Sequence, residues 1–345
     1  MLVHEAKALA RQWVLHEGEK LPGFAGAFYH GSTNWLVDDA VLPATSDLDI
    51  MLVFADPPPT KLGKFVYNGV ILEVSYLASS ELASPEAVLS TSHLAGSFQG
   101  PSIIADPTGE LTLLHQAVSQ NYAKKEWVIK RCANADAKIR RNLASIHKAD
   151  PFQDQVMAWL FGTGVTTHVL LSAGLENPTV RRRYLAVRTL LATYGRLDFY
   201  EELLRLLGCR TLRPQQVAGH LAALTAAFDA AKTTIKTPFP FAADLTDLAR
   251  PVAIDGSREL IEQGNHREAI FWIVATYARC QQVFAQDGTP AQLAEFTPSF
   301  QALLADLGIA CHADLRQRSD QVIAFLPRLW AMAEAIIAAN RAITP

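Results

Sequence analysis

The sequence predicts an α+β protein, with a small mixed β-sheet domain followed by a larger all-helical domain. Three observations predict it. Short apolar and β-branched runs, punctuated by Gly, Pro and Asn, crowd into the first 110 positions. Two of these runs flank Asn68-Gly69, the strongest short-range hairpin signal. Beyond residue 110 the texture changes to Ala, Leu, Arg and Glu, with helical periodicity almost to the end. The expected domains are therefore 1–110 and 111–345, and the Pro-rich stretch at 237–251 can subdivide the second.

Each element follows from local pattern. Leu2, Ala6, Leu9, Ala10, Trp13 and Val14 recur at helical spacing, so residues 2–17 should form an amphipathic helix that ends near Gly18 and Pro22-Gly23. Residues 24–30 form an apolar run that stops at Gly31-Ser32, a strand followed by a tight turn. Residues 33–46 are irregular. Residues 48–54 read as a second strand, closed by Pro57-Pro58-Pro59. The runs 64–67 and 70–77 should pair antiparallel through Asn68-Gly69. Ser79-Ser80-Glu81 and Ser84-Pro85-Glu86 carry helix-start chemistry. Residues 102–107 read as a last short strand. In the helical part, Leu203, Leu206 and Leu207 precede Gly208, which suits a helix C-cap.

Composition bounds the function. Half of the 345 residues are hydrophobic and 19% are charged, which excludes a disordered chain. The net charge of −3 argues against a protein whose main task is coating nucleic acid. It hides an asymmetry: residues 1–110 hold 5 basic and 13 acidic side chains, a net of −8, and the remainder carries +5. Cys132, Cys209, Cys280 and Cys311 lie far apart with no CxxC pair, as expected of reduced thiols in a cytoplasmic protein. The N-terminus has charges at Glu5, Lys7 and Arg11 and lacks the apolar core of a signal peptide. Residues 155–175 contain no Asp, Glu, Lys or Arg, but Gly162, Thr163, Gly164, Thr166, Thr167, His168 and Ser172 make a buried helix a better reading than a membrane span.

The chemistry concentrates in the acidic front. Asp47 and Asp49 flank Leu48 at the start of a strand, and residues two apart on a strand share a face. Two carboxylates held side by side repel unless a cation lies between them, and hard oxygen donors suit Mg²⁺ or Mn²⁺. Glu73 interrupts the apolar run 70–77, where a lone buried charge is costly. Convergence of Glu73 on the Asp pair explains that position, against the plainer reading of a solvated strand-edge glutamate. Gly31-Ser32 after a strand lets the backbone approach a phosphate closely, although most such pairs are ordinary turns.

Together, His30-Gly31-Ser32, the stretch Ser46-Asp47-Leu48-Asp49-Ile50, and Glu73 on a following strand resemble the nucleotidyltransferase superfamily that includes DNA polymerase beta. The likeness is closest to small bacterial aminoglycoside and lincosamide nucleotidyltransferases. It covers residues 20–110, and the helical remainder is similar to the family only in layout. Fourteen residues, 33–46, separate Ser32 from Asp47, slightly more than the family's usual spacer, which implies a loop insertion around 35–42. The resemblance implies Mg²⁺ or Mn²⁺ at Asp47, Asp49 and Glu73. It implies a nucleoside triphosphate whose phosphates meet Gly31 and Ser32, and transfer of its monophosphate to an acceptor hydroxyl. Glu73 is then either a third ligand or the base. The expected partners are the triphosphate and a small-molecule acceptor, with no membrane, nucleic acid disfavoured and a homodimer left open. The alternative is an inactive nucleotide-binding or protein-interaction module of the same fold.

Other signals are weaker. The basic run in 121–148 and Arg181-Arg182-Arg183 with Arg188 read mainly as solvated helix faces, with one side chain free to reach the site. His30 fits a packed strand-end histidine as well as a phosphate neighbour. His93, His168 and His220 lack metal-ligand spacing, and Trp127, Trp159 and Trp272 read as core. Two other families carry Asp-x-Asp. Haloacid-dehalogenase-like phosphatases place a crossover helix where this chain has a hairpin. Metal-dependent glycosyltransferases need a larger domain than the 46 residues before Asp47.

Overall fold

The chain is α+β, with one small mixed sheet followed by a larger helical region. The structure, a computed structural model, describes residues 1–58 and 60–345. Pro59, the last residue of the run expected to close the second strand, lies outside the described residues. The strands are β1 (Phe24–His30), β2 (Leu48–Phe54), β3 (Gly63–Tyr67), β4 (Val70–Ala78) and β5 (Ile103–Ala105), in the order β3-β4-β2-β1-β5. Among the described residues, β2 and β4 are the one parallel strand pair. The expected hairpin joins β3 to β4, and Asn68 (φ 47°) and Gly69 (φ 85°) both adopt the positive φ that a two-residue turn of this hand requires.

Side-chain alternation sorts the sheet into two faces. Ala27 and Tyr29 of β1, Leu48, Ile50 and Leu52 of β2, and Leu72 and Val74 of β4 form one apolar face. Helix α1 (Val3–His16) covers it with Ala6, Ala10, Trp13 and Val14, the stripe read from the sequence. The other face starts from Phe28, Val53 and Leu77. Over it lie α2 (Pro85–Ser90), capped by the Ser84 hydroxyl, and α3 (Glu110–Asn121), through Val88, Leu89, Leu111, Leu114 and Val118. His30, Asp49, Glu73 and Lys64 alternate onto this second face.

Two compact units result, Met1–Asn134 with Asn340–Pro345, and Ala135–Ala339. The first unit therefore runs past residue 110. The reason is physical: α3 and Trp127 at the start of α4 (Lys125–Ala144) bury apolar surface in the same cluster as Phe28 and Val53. The C-terminus returns to this unit through backbone bonds from Lys125 N to Thr344 O (2.8 Å) and from Thr344 N to Ala123 O (3.0 Å).

The second unit contains α5 (Phe152–Gly164), α6 (Thr166–Ala173), α7 (Arg183–Thr193), α8 (Leu197–Leu207), α9 (Pro214–Thr234), α10 (Gly256–Glu262), α11 (His266–Asp287), α12 (Pro290–Asp306) and α13 (His312–Ala339). Gly208 ends α8 in the left-handed conformation, as expected of a C-cap. The Pro-rich break interrupts the helices between α9 and α10 but does not divide this unit. Helix α11 packs against both α9 and α5. In addition, Asp287 at the end of α11 accepts from Lys236 N (2.6 Å), Thr237 N (2.8 Å) and Thr237 Oγ1 (2.7 Å), pinning the loop to the core.

Among the described residues, two helical stretches, Phe152–Ala173 and His312–Ala339, are long and apolar enough to cross a membrane by length and composition alone. The first is mostly buried inside the helical unit, as its Gly, Thr and Ser content led one to expect. One buried acid sits in that core: Glu268 on α11 is 1% exposed. It accepts from Arg188 Nη1 (2.7 Å) and Tyr200 Oη (2.6 Å), while Arg188 Nη2 donates to Asn265 Oδ1 (2.7 Å). Arg188 is thus a structural partner rather than a purely solvated side chain. Arg131 is likewise buried, donating to the Leu89 (3.2 Å) and Tyr122 (2.7 Å) carbonyl oxygens, so the basic run is not one solvated face.

Candidate metal centre

The sheet register brings four polar side chains into a single row. His30 pairs with Asp49 across β1 and β2, Asp49 with Glu73 across β2 and β4, and Glu73 with Lys64 across β4 and β3. Asp47 lies just before β2, two residues from Asp49. One carboxylate oxygen from each of Asp47, Asp49 and Glu73 lies within 4.8 Å of the others. The three acidic residues read from the sequence therefore converge. Glu73 is not on a solvated edge, because β4 is an interior strand and the side chain is only 17% exposed.

Gly31 belongs to the same site. It opens the short 3₁₀ turn Gly31–Trp35 at the end of β1, with φ at +67°. A Cβ there would overlap the Asp49 carboxylate, so the glycine is needed for both backbone conformation and space. Ser32 follows in the turn and is partly buried. The turn is held by Asn34 Nδ2 donating to Tyr29 O at 2.6 Å. The long spacer after it docks on α1, through Val3 N to Ala40 O (2.8 Å) and Lys7 Nζ to Asp38 Oδ1 (3.0 Å). Gly31→Ala should cost about 1–2 kcal/mol from the left-handed backbone alone, measurable by urea unfolding, and should also displace Asp49.

Two lysines answer the carboxylates. Lys64, 4% exposed in its side chain, donates to Asp47 Oδ2 at 2.5 Å and to Glu73 Oε2. Lys61 Nζ donates to Glu73 Oε1 at 2.9 Å. Sequence reasoning missed both. A signal for Lys64 was present: counting outward from a two-residue turn at 68–69 sets position 64 opposite 73.

The charges split the acids apart. Burial would raise the Glu73 carboxyl, but Lys64 and then Lys61 outweigh it and hold it at about 2. For Asp49, burial and then the negative charges of Asp47 and Glu73 push the carboxyl well above its ordinary value, against the smaller pull of the lysines. Burial, with His93 adding to it, lowers His30 to about 4, so the imidazole is neutral at pH 7. It is hydrogen-bonded with Ser97 Oγ at 2.6 Å.

A pH dependence follows for Glu73. Its folded value lies below the ordinary glutamate value of 4.5, so its ion pairs stabilise the fold fully above that pH and lose this effect as pH falls toward about 2. The stability gap between the protein and its Glu73→Gln variant should therefore be widest near neutrality and narrow below pH ~4.5 in urea unfolding.

The donor set fits a hard divalent cation. Oxygens on opposite sides of a Mg²⁺ ion stand about 4.2 Å apart, twice the ~2.1 Å metal–oxygen distance. The observed span of up to 4.8 Å requires only a small closing of the side chains. No protein-family model matches the chain, and no curated protein matches it.

Proposed function

We propose that the protein is a divalent-metal-dependent nucleotidyltransferase, moving a nucleoside monophosphate from a nucleoside triphosphate to a hydroxyl of a small-molecule acceptor and releasing pyrophosphate. The observation that carries this reading is the convergence of Asp47, Asp49 and Glu73 beside a left-handed glycine turn. Mg²⁺ or Mn²⁺ at these carboxylates would supply charge neutralisation to the triphosphate and to the departing pyrophosphate. Gly31, with no Cβ, lets the backbone N–H groups of the turn reach the β- and γ-phosphate oxygens, and the Ser32 hydroxyl donates to them. Asp47 and Asp49 orient the reacting phosphate by holding its counterion. Glu73 acts as a third ligand or takes the proton of the acceptor hydroxyl. Glu73→Gln separates these roles, since only loss of a ligand weakens metal binding. A cytoplasmic setting suits the four free cysteines.

Metal affinity should rise with pH. Asp49 holds its proton to a higher pH than an ordinary carboxylate, and proton and metal compete for the same oxygens. A Mn²⁺ titration at pH 6 and pH 8 should give tighter binding at pH 8.

A second reading has one observation in its favour. Lys64 already neutralises Asp47 and Glu73, as it would in a binding module that performs no transfer. Incubation with labelled nucleoside triphosphates, Mg²⁺ and a panel of hydroxylated acceptors separates the two. Acceptor-dependent pyrophosphate release supports transfer. Nucleotide binding without release across the panel supports the module.

A further inference from the structure

The helical unit holds a buried cation without a counter-anion. Arg183 opens α7 and is 1% exposed. Its Nε donates to Val180 O at 2.8 Å, and its guanidinium lies over the Phe271 ring, 3.9 Å from the centroid. Among the described residues no carboxylate pairs with it, and Nη1 is buried with no hydrogen-bond partner. Arg131, equally buried, shows the contrast, because two backbone carbonyls accept from it. An unpaired buried charge is costly, and a guanidinium does not shed its proton at neutral pH to escape that cost.

More positive charge surrounds it. Lys138 on α4 is partly buried and near enough for Arg183 and Arg141 to depress its pKa, after burial itself. Helix α7 begins at Arg183, and its N-terminal end adds partial positive charge. The end of α5, Gly162-Thr163-Gly164, packs closely against α4 and against Arg183 and Phe271 because two of its residues are glycine. A Cβ at Gly164 would fall 2.8 Å from Arg183 Nη1, and one at Gly162 would fall 2.5 Å from Leu143 of α4. The intervening Thr163 Oγ1 is also buried without a partner.

We propose that Arg183 and Lys138 form a binding site in the helical unit for a small oxyanion, the phosphate or carboxylate group of a soluble ligand. Arg183 supplies a planar donor group with Nη1 unpartnered, and Lys138 a second positive charge near it. Both residues belong to the helical unit.

Thermal unfolding of the full chain tests it, in inorganic phosphate, in acetate and in chloride at matched ionic strength. Phosphate or acetate at about tenfold excess over its Kd should raise the Tm by roughly 3 °C over chloride. The salt that does so identifies the anion. Lys138→Gln should lose most of that rise. Arg183→Met should lose it too, while being at least as stable as the parent in chloride, because an unpaired buried charge has gone. A Tm that responds to neither salt overturns the proposal, as does a rise that Lys138→Gln retains in full. If Arg183→Met fails to fold, Lys138→Gln still decides.

Discussion

Asp47→Asn and Asp49→Asn should each lower nucleotidyl transfer by roughly 10³-fold or more, since each removes charge at the position where the triphosphate's counterion is held. Their effects on stability should point in opposite directions. Asp49 sits desolvated beside two other carboxylates, so a neutral isostere relieves the cost of its charged form and should stabilise the fold at pH values where Asp49 is ionised. Asp47 accepts from Lys64 at 2.5 Å, so Asp47→Asn weakens a nearly buried ion pair and should destabilise it. Parallel measurement of pyrophosphate release and urea unfolding checks both claims. Full activity in either variant would sink the catalytic assignment. A destabilised Asp49→Asn would show that the lysines already compensate all three acids.

Glu268→Ala should destabilise the helical unit by about 3 kcal/mol. Glu268 receives hydrogen bonds from Arg188 and Tyr200, and truncation leaves both donors without their acceptor. Glu268→Gln keeps an acceptor oxygen for Tyr200 and removes only the charge, so it should cost less. Urea unfolding of the two variants checks the order. Equal losses would mean that the ion pair with Arg188 dominates and the Tyr200 hydrogen bond adds little.

Much of the first unit was legible because its signals are local. Asn68-Gly69 announces a hairpin by turn chemistry alone, and the apolar stripe of α1 announces its buried face. Asp47, Asp49 and Glu73 stood out because acidic residues at the mouth or in the middle of apolar strands need a reason. The lysines were missed because a β3 lysine looks like an ordinary edge-strand charge until the register is worked out. Arg183 was read with a surface triplet because periodicity does not say which of three consecutive arginines turns inward. Its burial depends on Gly164 and Phe271, from α5 and α11, far away in sequence. The division within α4 was hidden for a similar reason. A helix that continues unbroken carries no local mark where its packing partners change.

The central claim is that Asp47, Asp49 and Glu73 form a metal centre rather than a cluster satisfied by lysine alone. Electron paramagnetic resonance of Mn²⁺ titrated into the full chain at pH 8 tests it most directly. The account predicts saturable loss of the free Mn²⁺ signal, abolished in Asp49→Asn and competed by Mg²⁺. Mn²⁺ that stays free, or binding that Asp49→Asn leaves unchanged, would contradict it.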